Sequence, residues 1–195
     1  MRLVFEIVYI VGMFAGGFVR RIYGRQYKED PTTVSARRRE PTVMMIALAL
    51  WGIGQLVAMV YVFVPWLDFA DYHLPVWAGW IGVVVFIGGI VMLWRSHADL
   101  GHGWSPTLEK REDQRLVTDG VYRSIRHPMY TAHLLMGIGQ MLLIQNWIAG
   151  PLGLVFFALI YALRVGPEEK MLLAEFGDEY RDYMGRTGRL TPKIG

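Results

Sequence analysis

Residues 127–163 read HPMYTAHLLMGIGQMLLIQNWIAGPLGLVFFALIYAL, 37 positions without Asp, Glu, Lys or Arg. A bilayer core about 30 Å thick takes about 20 helical residues to cross. The run is therefore too long for one span and too apolar for a surface segment. Its middle holds Gln145, Asn146 and Trp147, then Gly150 and Pro151, which are turn and breaker residues. These features predict a tight hairpin of two short helices, roughly 128–145 and 148–164.

Working outward, Pro41–Leu67 and Tyr72–Trp94 are also free of charge, each the length of one span. Leu3–Val19 is broken only by Glu6, read as a snorkelling or packing residue. Arg20, Arg21 and Arg25 follow it like a stop-transfer anchor, with no small-x-small cleavage site, so it reads as a retained span rather than a signal peptide. Gly12 and Gly16 inside it have GxxxG spacing, which suits close packing on a neighbouring span of the same chain. The composition agrees: 53% of residues are hydrophobic and 19% charged, against about 25% charged in soluble domains. The expected fold class is all-α: a polytopic integral membrane protein with about five transmembrane helices.

Loop charges set the expected orientation. The 20–40 loop carries Arg20, Arg21, Arg25, Lys28, Arg37, Arg38 and Arg39. The 95–126 segment and the tail after Leu163 are basic too, whereas the 65–75 loop has only Asp68 and Asp71. The N-terminus is then outside and the C-terminus cytoplasmic. Basic loops against anionic headgroups account for the net charge of +3, so nucleic acid is not needed as a partner. The chain has no cysteine, which excludes disulfides, thiolate ligands and a cysteine nucleophile. P-loop, HExxH and GxGxxG motifs are absent. His97, Asp99 and His102 have no second pair at ligand spacing, so no metal is expected.

The chain divides into residues 1–94, three spans with simple loops, and residues 95–195, which hold the polar and aromatic density. In the second part Asp119-Gly120 reads as a turn. Pro128 suits the first turn of a helix, with Arg126 and His127 at its mouth, where free N–H groups favour an anion. A basic interfacial anchor explains the same residues equally well. Gly166-Pro167 should end the fifth span and put Glu168 and Glu169 in the first turn of a new helix. Gly177-Asp178 is a second candidate break. Leu172, Phe176, Tyr180 and Tyr183 form one stripe, suited to an interfacial helix. Arg164 and Glu168, four apart at the end of an apolar run, are functional candidates because ionisable residues at that depth are costly. His133, inside a span, reads as a packing hydrogen bond.

These residues carry a resemblance. Leu116-Val117-Thr118-x-Gly120-x-Tyr122-x-x-x-Arg126-His127-Pro128-x-Tyr130 is followed by Arg164-x-x-x-Glu168-Glu169, then Phe176-Gly177-x-x-Tyr180-x-x-Tyr183 and Pro192. Over roughly residues 93–193 this resembles the isoprenylcysteine carboxyl methyltransferase family, in particular its short prokaryotic membrane members. The resemblance implies an S-adenosylmethionine-dependent carboxyl O-methyltransferase, releasing S-adenosylhomocysteine and acting on a lipophilic small molecule or prenylated peptide within membrane lipid. It implies that Thr107, Gln114, Arg115, Leu116, Val117, Tyr122, His127, Pro128, Met129 and Tyr130 bind the cofactor. It further implies that Arg164 and Glu168 face the substrate as the catalytic pair. Gln114 departs from the family, where His is frequent. Together with the loop charges, the reading is a cell-membrane enzyme with its site facing the cytoplasm. Three other readings are an amine or phospholipid N-methyltransferase, an NADPH-dependent sterol or enone reductase sharing a similar Arg-His-Pro stretch, and a membrane scaffold.

Overall fold

A computed structural model of the chain describes residues 1–29, 34–37, 41–101, 104, 109–111 and 115–193. Five long helices form the body: α1 (Arg2–Glu29), α2 (Thr42–Phe63), α3 (Val76–Leu100), α4 (Pro128–Leu143) and α5 (Leu152–Arg186). Short 3-10 helices cover Pro65–Ala70 and Gly120–Arg123. Two short strands, β1 (Val34–Arg37) and β2 (Glu109–Arg111), pair antiparallel across the loops. They are a small addition to an otherwise helical chain.

Helices α1, α2 and α3 are long and apolar enough to cross a membrane. Their outward faces carry the side chains expected against lipid, among them Phe14, Leu56, Trp77 and Val84. At 1.5 Å per residue, the 16 residues of α4 rise about 24 Å. The apolar part of α5 ends at Arg164, and these two form the hairpin.

Asn146 ties the tip of that hairpin. Its side-chain oxygen accepts from the backbone N–H groups of Ile148 and Ala149, at 3.0 and 2.9 Å. Its amide donates to the Leu67 carbonyl at 2.6 Å and to Asp71 at 2.8 Å. Asp71 also accepts from Tyr61 (2.6 Å) and Arg2 (2.8 Å). Four separate stretches of chain are thereby knotted at one end of the bundle. Arg2 pairs Glu6 as well, at 2.7 Å.

Close backbone approach holds α3 to α4. A Cβ at Gly139 would lie 2.8 Å from the Phe86 Cα and N, and one at Gly89 would lie 2.9 Å from the Ala132 carbonyl. Backbone atoms cannot yield, so glycine is required there. Gly12 of the GxxxG pair seats Phe86 and Ile90 of α3, a contact within the chain.

One expectation is corrected. Gly166-Pro167 does not end the fifth span, because α5 runs through Pro167 to Arg186. A proline deletes one helical hydrogen bond and usually kinks or breaks the helix. Here the flanking turns are held by packing, with Val165 and Glu169 both buried, and tertiary contact outweighs the local signal. The interruption comes at Gly177, with φ +53. Glu168 and Glu169 therefore lie in mid-helix, not in a first turn. The 94/95 division also falls inside the continuous helix α3.

Candidate active site

A cavity of about 340 Å³ lies between the hairpin and the loop that precedes it. The loop wall begins with Arg115, Leu116 and Val117, then turns at Gly120. Gly120 has φ +58, and the Asp99 carboxylate occupies the space a side chain would need. Asp99 accepts from the Val121 N–H at 2.9 Å, so it anchors the turn. No cluster of metal-ligating side chains occurs among the described residues. The turn delivers Tyr122, whose hydroxyl donates to the Ser96 carbonyl (3.3 Å) and whose own carbonyl accepts from the Tyr183 hydroxyl (2.6 Å). Burial pushes the Tyr122 phenol up, and it pushes Tyr183 up to about 12.

Pro128 opens α4 as its first residue. His127, Pro128, Met129 and Tyr130 line the cavity there, opposite Arg164 and Glu168 of α5. The Tyr130 hydroxyl donates to Glu168 at 2.6 Å, and the His127 ring stands 3.8 Å from the same carboxylate. Every described residue of the expected site therefore borders one cavity. Thr107 and Gln114 lie outside the described residues.

A second carboxylate supports the wall from behind. Glu169 is buried and accepts from Arg126 Nε (3.2 Å), Arg189 Nη2 (2.5 Å) and His127 Nε2 (3.4 Å). Burial alone would raise its pKa. The hydrogen bonds from His127 and Arg189 outweigh that and lower it to about 2. Arg126 also donates to the Met184 and Thr187 carbonyls. The tail crosses the mouth of α4: Arg126 N–H donates to Gly188 and His127 N–H to Arg189, at 2.8 and 3.0 Å. Thr131 Oγ1 donates to the Leu190 carbonyl at 2.8 Å. The tail is thus strapped over the cavity, with Phe176, Tyr180 and Tyr183 on its inner side.

Most of the remaining wall comes from the first half of the chain and was not foreseen. It holds Arg20 of α1, Leu48 and Trp51 of α2, and His97 of α3, with Phe157 and Ile160 of α5. The sequence motifs lie in the second half, and no local pattern in α1 or α2 marks these positions. Arg20 reads locally as part of a basic anchor.

The residues present suit a large, partly polar cofactor beside a lipid. Pockets for such ligands run about 300–1,000 Å³ with mostly apolar walls and a few placed polar groups. Two buried polar atoms of the lining residues, His97 Nε2 and the Tyr180 hydroxyl, have no hydrogen-bond partner among the described residues. Buried polar atoms are otherwise paired, so unsatisfied ones beside a cavity fit a polar ligand.

Residues 80–174 match the sequence model of the isoprenylcysteine carboxyl methyltransferase family. The chain is 32% identical over 120 residues to a protein-S-isoprenylcysteine O-methyltransferase of Tribolium castaneum, covering 60% of this chain and 43% of that one. It is 32% identical over 86 residues to the protein of the same name from Schizosaccharomyces pombe, covering 44% and 36%. A solved structure of the eukaryotic intramembrane Ras methyltransferase aligns with TM-score 0.56 and 28% identity, over 80% of this chain and 55% of that one. The chain spans well under two thirds of each of these relatives.

Proposed function

We propose that the chain is a member of the isoprenylcysteine carboxyl methyltransferase family, whose sequence model matches residues 80–174, and that it is a membrane carboxyl O-methyltransferase. It transfers a methyl group from S-adenosylmethionine to a lipophilic acid of the prenylcysteine type. The observation that carries this reading is the one cavity bordered by 115–117, Tyr122, 127–130, Arg164 and Glu168, with a few charged and polar groups among largely apolar side chains.

Bound S-adenosylmethionine supplies a methyl group already activated by its sulfonium charge. The acceptor carboxylate, with an ordinary pKa of about 4, is ionised at pH 7. No strong base is therefore needed, and positioning in a dry site supplies most of the rate. Arg164 holds the acceptor carboxylate through its two-pronged guanidinium. Glu168, fixed by Tyr130, orients Arg164 and tunes the charge of the site. The loop 115–117, Tyr122 and the 127–130 turn hold the cofactor. Leu48, Trp51, Phe157 and Ile160 exclude water and receive the lipid chain. The basic 20–40 and 95–126 segments support a site facing the cytoplasm, with residues 95–195 acting as the catalytic region against spans from 1–94.

Mutants test the reading. Losing one partner of a hydrogen-bonded charge pair costs about 3–5 kcal/mol, and half of that in the transition state slows the rate at least about tenfold. Arg164→Ala should nearly abolish formation of a base-labile methyl ester, with S-adenosylhomocysteine affinity little changed. Arg164→Lys should rescue poorly. His127→Ala, Tyr122→Ala and Tyr130→Ala should instead weaken S-adenosylhomocysteine binding. Near-normal turnover by Arg164→Ala would rule out the carboxylate clamp. A base-stable product, with Glu168→Gln the deadlier change and a rate rising with pH, would point to an amine acceptor.

A further inference from the structure

We propose that Arg20, aimed by His133, is a second carboxylate-binding group of the cavity. The carboxylate is that of the acceptor, shared with Arg164, or that of the methionyl arm of S-adenosylmethionine. The inference rests on the methyltransferase reading.

The geometry fixes the roles of both residues. Arg20 Nη1 lies 3.2 Å from His133 Nε2, and His133 Nδ1 lies 2.8 Å from the Met129 carbonyl. A guanidinium only donates and a carbonyl only accepts. Nδ1 therefore carries the hydrogen and Nε2 accepts from Arg20, which makes His133 a neutral imidazole. Its ring is stacked on Phe157, with centroids 4.5 Å apart and planes 8° from parallel, and meets Trp51 edge-on at 5.7 Å. Nε2 is thus held in one direction. A neutral ring orients Arg20 without balancing its charge.

The charge of Arg20 calls for an anion. Among the described residues Arg20 meets no carboxylate, and the charge bearing on it is that of Arg164, which repels it. Arg20 and Arg164 border one largely apolar cavity, and an anion beside Arg20 would offset the repulsion between the two. One hydrogen bond to His133 leaves most of the Arg20 donors without a partner among the described residues, and the residue, which borders the cavity, is exposed. A snorkelling arginine extends toward the headgroups. This one turns to a histidine inside the bundle. Methylation converts the acceptor carboxylate to a neutral ester, so a site built this way prefers acid over product.

The test uses the full chain in detergent. Binding of S-farnesyl-N-acetylcysteine and of its carboxamide is read from tryptophan fluorescence. Binding of S-adenosylhomocysteine and of 5′-methylthioadenosine, which lacks the carboxylate, is read by calorimetry. A charged hydrogen bond is worth about tenfold or more in affinity, so wild type should prefer each carboxylate ligand by at least about tenfold. If the acceptor is the source, Arg20→Gln cuts the acid-over-amide preference severalfold, down to the share that Arg164 supplies, and leaves the nucleoside pair alone. If the cofactor is the source, the preference for S-adenosylhomocysteine over 5′-methylthioadenosine collapses instead. His133→Phe, which keeps the stack on Phe157, should follow Arg20→Gln. His133→Gln, which keeps an acceptor, should restore much of the preference. Both preferences unchanged in Arg20→Gln, or Arg20→Lys equal to wild type in both, overturns the proposal. The ratios are internal controls, because a misfolded variant loses both members of a pair. Failure of wild type to bind S-adenosylhomocysteine would sink the methyltransferase reading, while the acid-against-amide ratio still reports on Arg20.

Discussion

Glu169 is the perturbation whose size the structure defines best. The residue is 8% exposed, and its carboxylate gathers Arg126, Arg189 and His127. Removing one member of a buried charged pair costs about 3–5 kcal/mol, mostly through the charge left behind. The Arg189 side chain is 54% exposed and can turn to water, whereas Arg126 is 10% exposed and cannot. Only Arg126 and His127 are stranded, so Glu169→Ala should cost about 2–3 kcal/mol. Glu169→Gln keeps one acceptor oxygen and should cost about 1–2 kcal/mol. For a chain of this size about 1 kcal/mol moves Tm by about 2–4 °C. Glu169→Ala should therefore melt about 4–12 °C below wild type by scanning fluorimetry in detergent. Trypsin should also cut sooner at Arg186 and Arg189 as the strap lifts. The sign with pH follows from the lowered pKa. A depressed carboxyl adds stability that is present above about 4.5 and lost as pH falls through about 2. Wild type should hold its margin over Glu169→Gln at neutral pH and lose it between those values. Solvent beside Arg189 screens part of the full effect. A Glu169→Ala variant that melts within about 1 °C of wild type, with unchanged proteolysis, would refute the reasoning.

Gly139→Ala should destabilise by about 1–3 kcal/mol through overpacking, because its new methyl would meet the Phe86 backbone at 2.8 Å. Gly17→Ala, with nothing within 4 Å, is the neutral control, and equal melting of the two would count against the helix contact. The chain has no native cysteine, so single cysteines at exposed Lys193 and Asp68 report sidedness. Impermeant reagent should label Lys193→Cys only from the cytoplasmic side and Asp68→Cys only from the other; the reverse pattern would invert the topology.

Much of this molecule was legible in one dimension. Charge-free runs reveal spans because the bilayer penalises charge residue by residue, without reference to any neighbour. The hairpin was readable at Gln145-Asn146-Trp147 and Gly150-Pro151, since turn chemistry is local. The 122–130 and 164–168 blocks are legible because polar density at the end of an apolar run needs a reason wherever it folds. Three things were decided only by tertiary structure. Helix α5 passes Pro167 because packing on both sides outweighs one lost hydrogen bond. Glu169 became the anchor of a strap because Arg126 and Arg189, 43 and 20 residues away, fold onto it. Arg20 came to border the cavity because α1 runs beside α3 and α4 and His133 turns it inward. In sequence each is an ordinary proline, glutamate or arginine. What distinguishes them is a partner distant along the chain, and a linear pattern holds no information about which distant partner a side chain will meet.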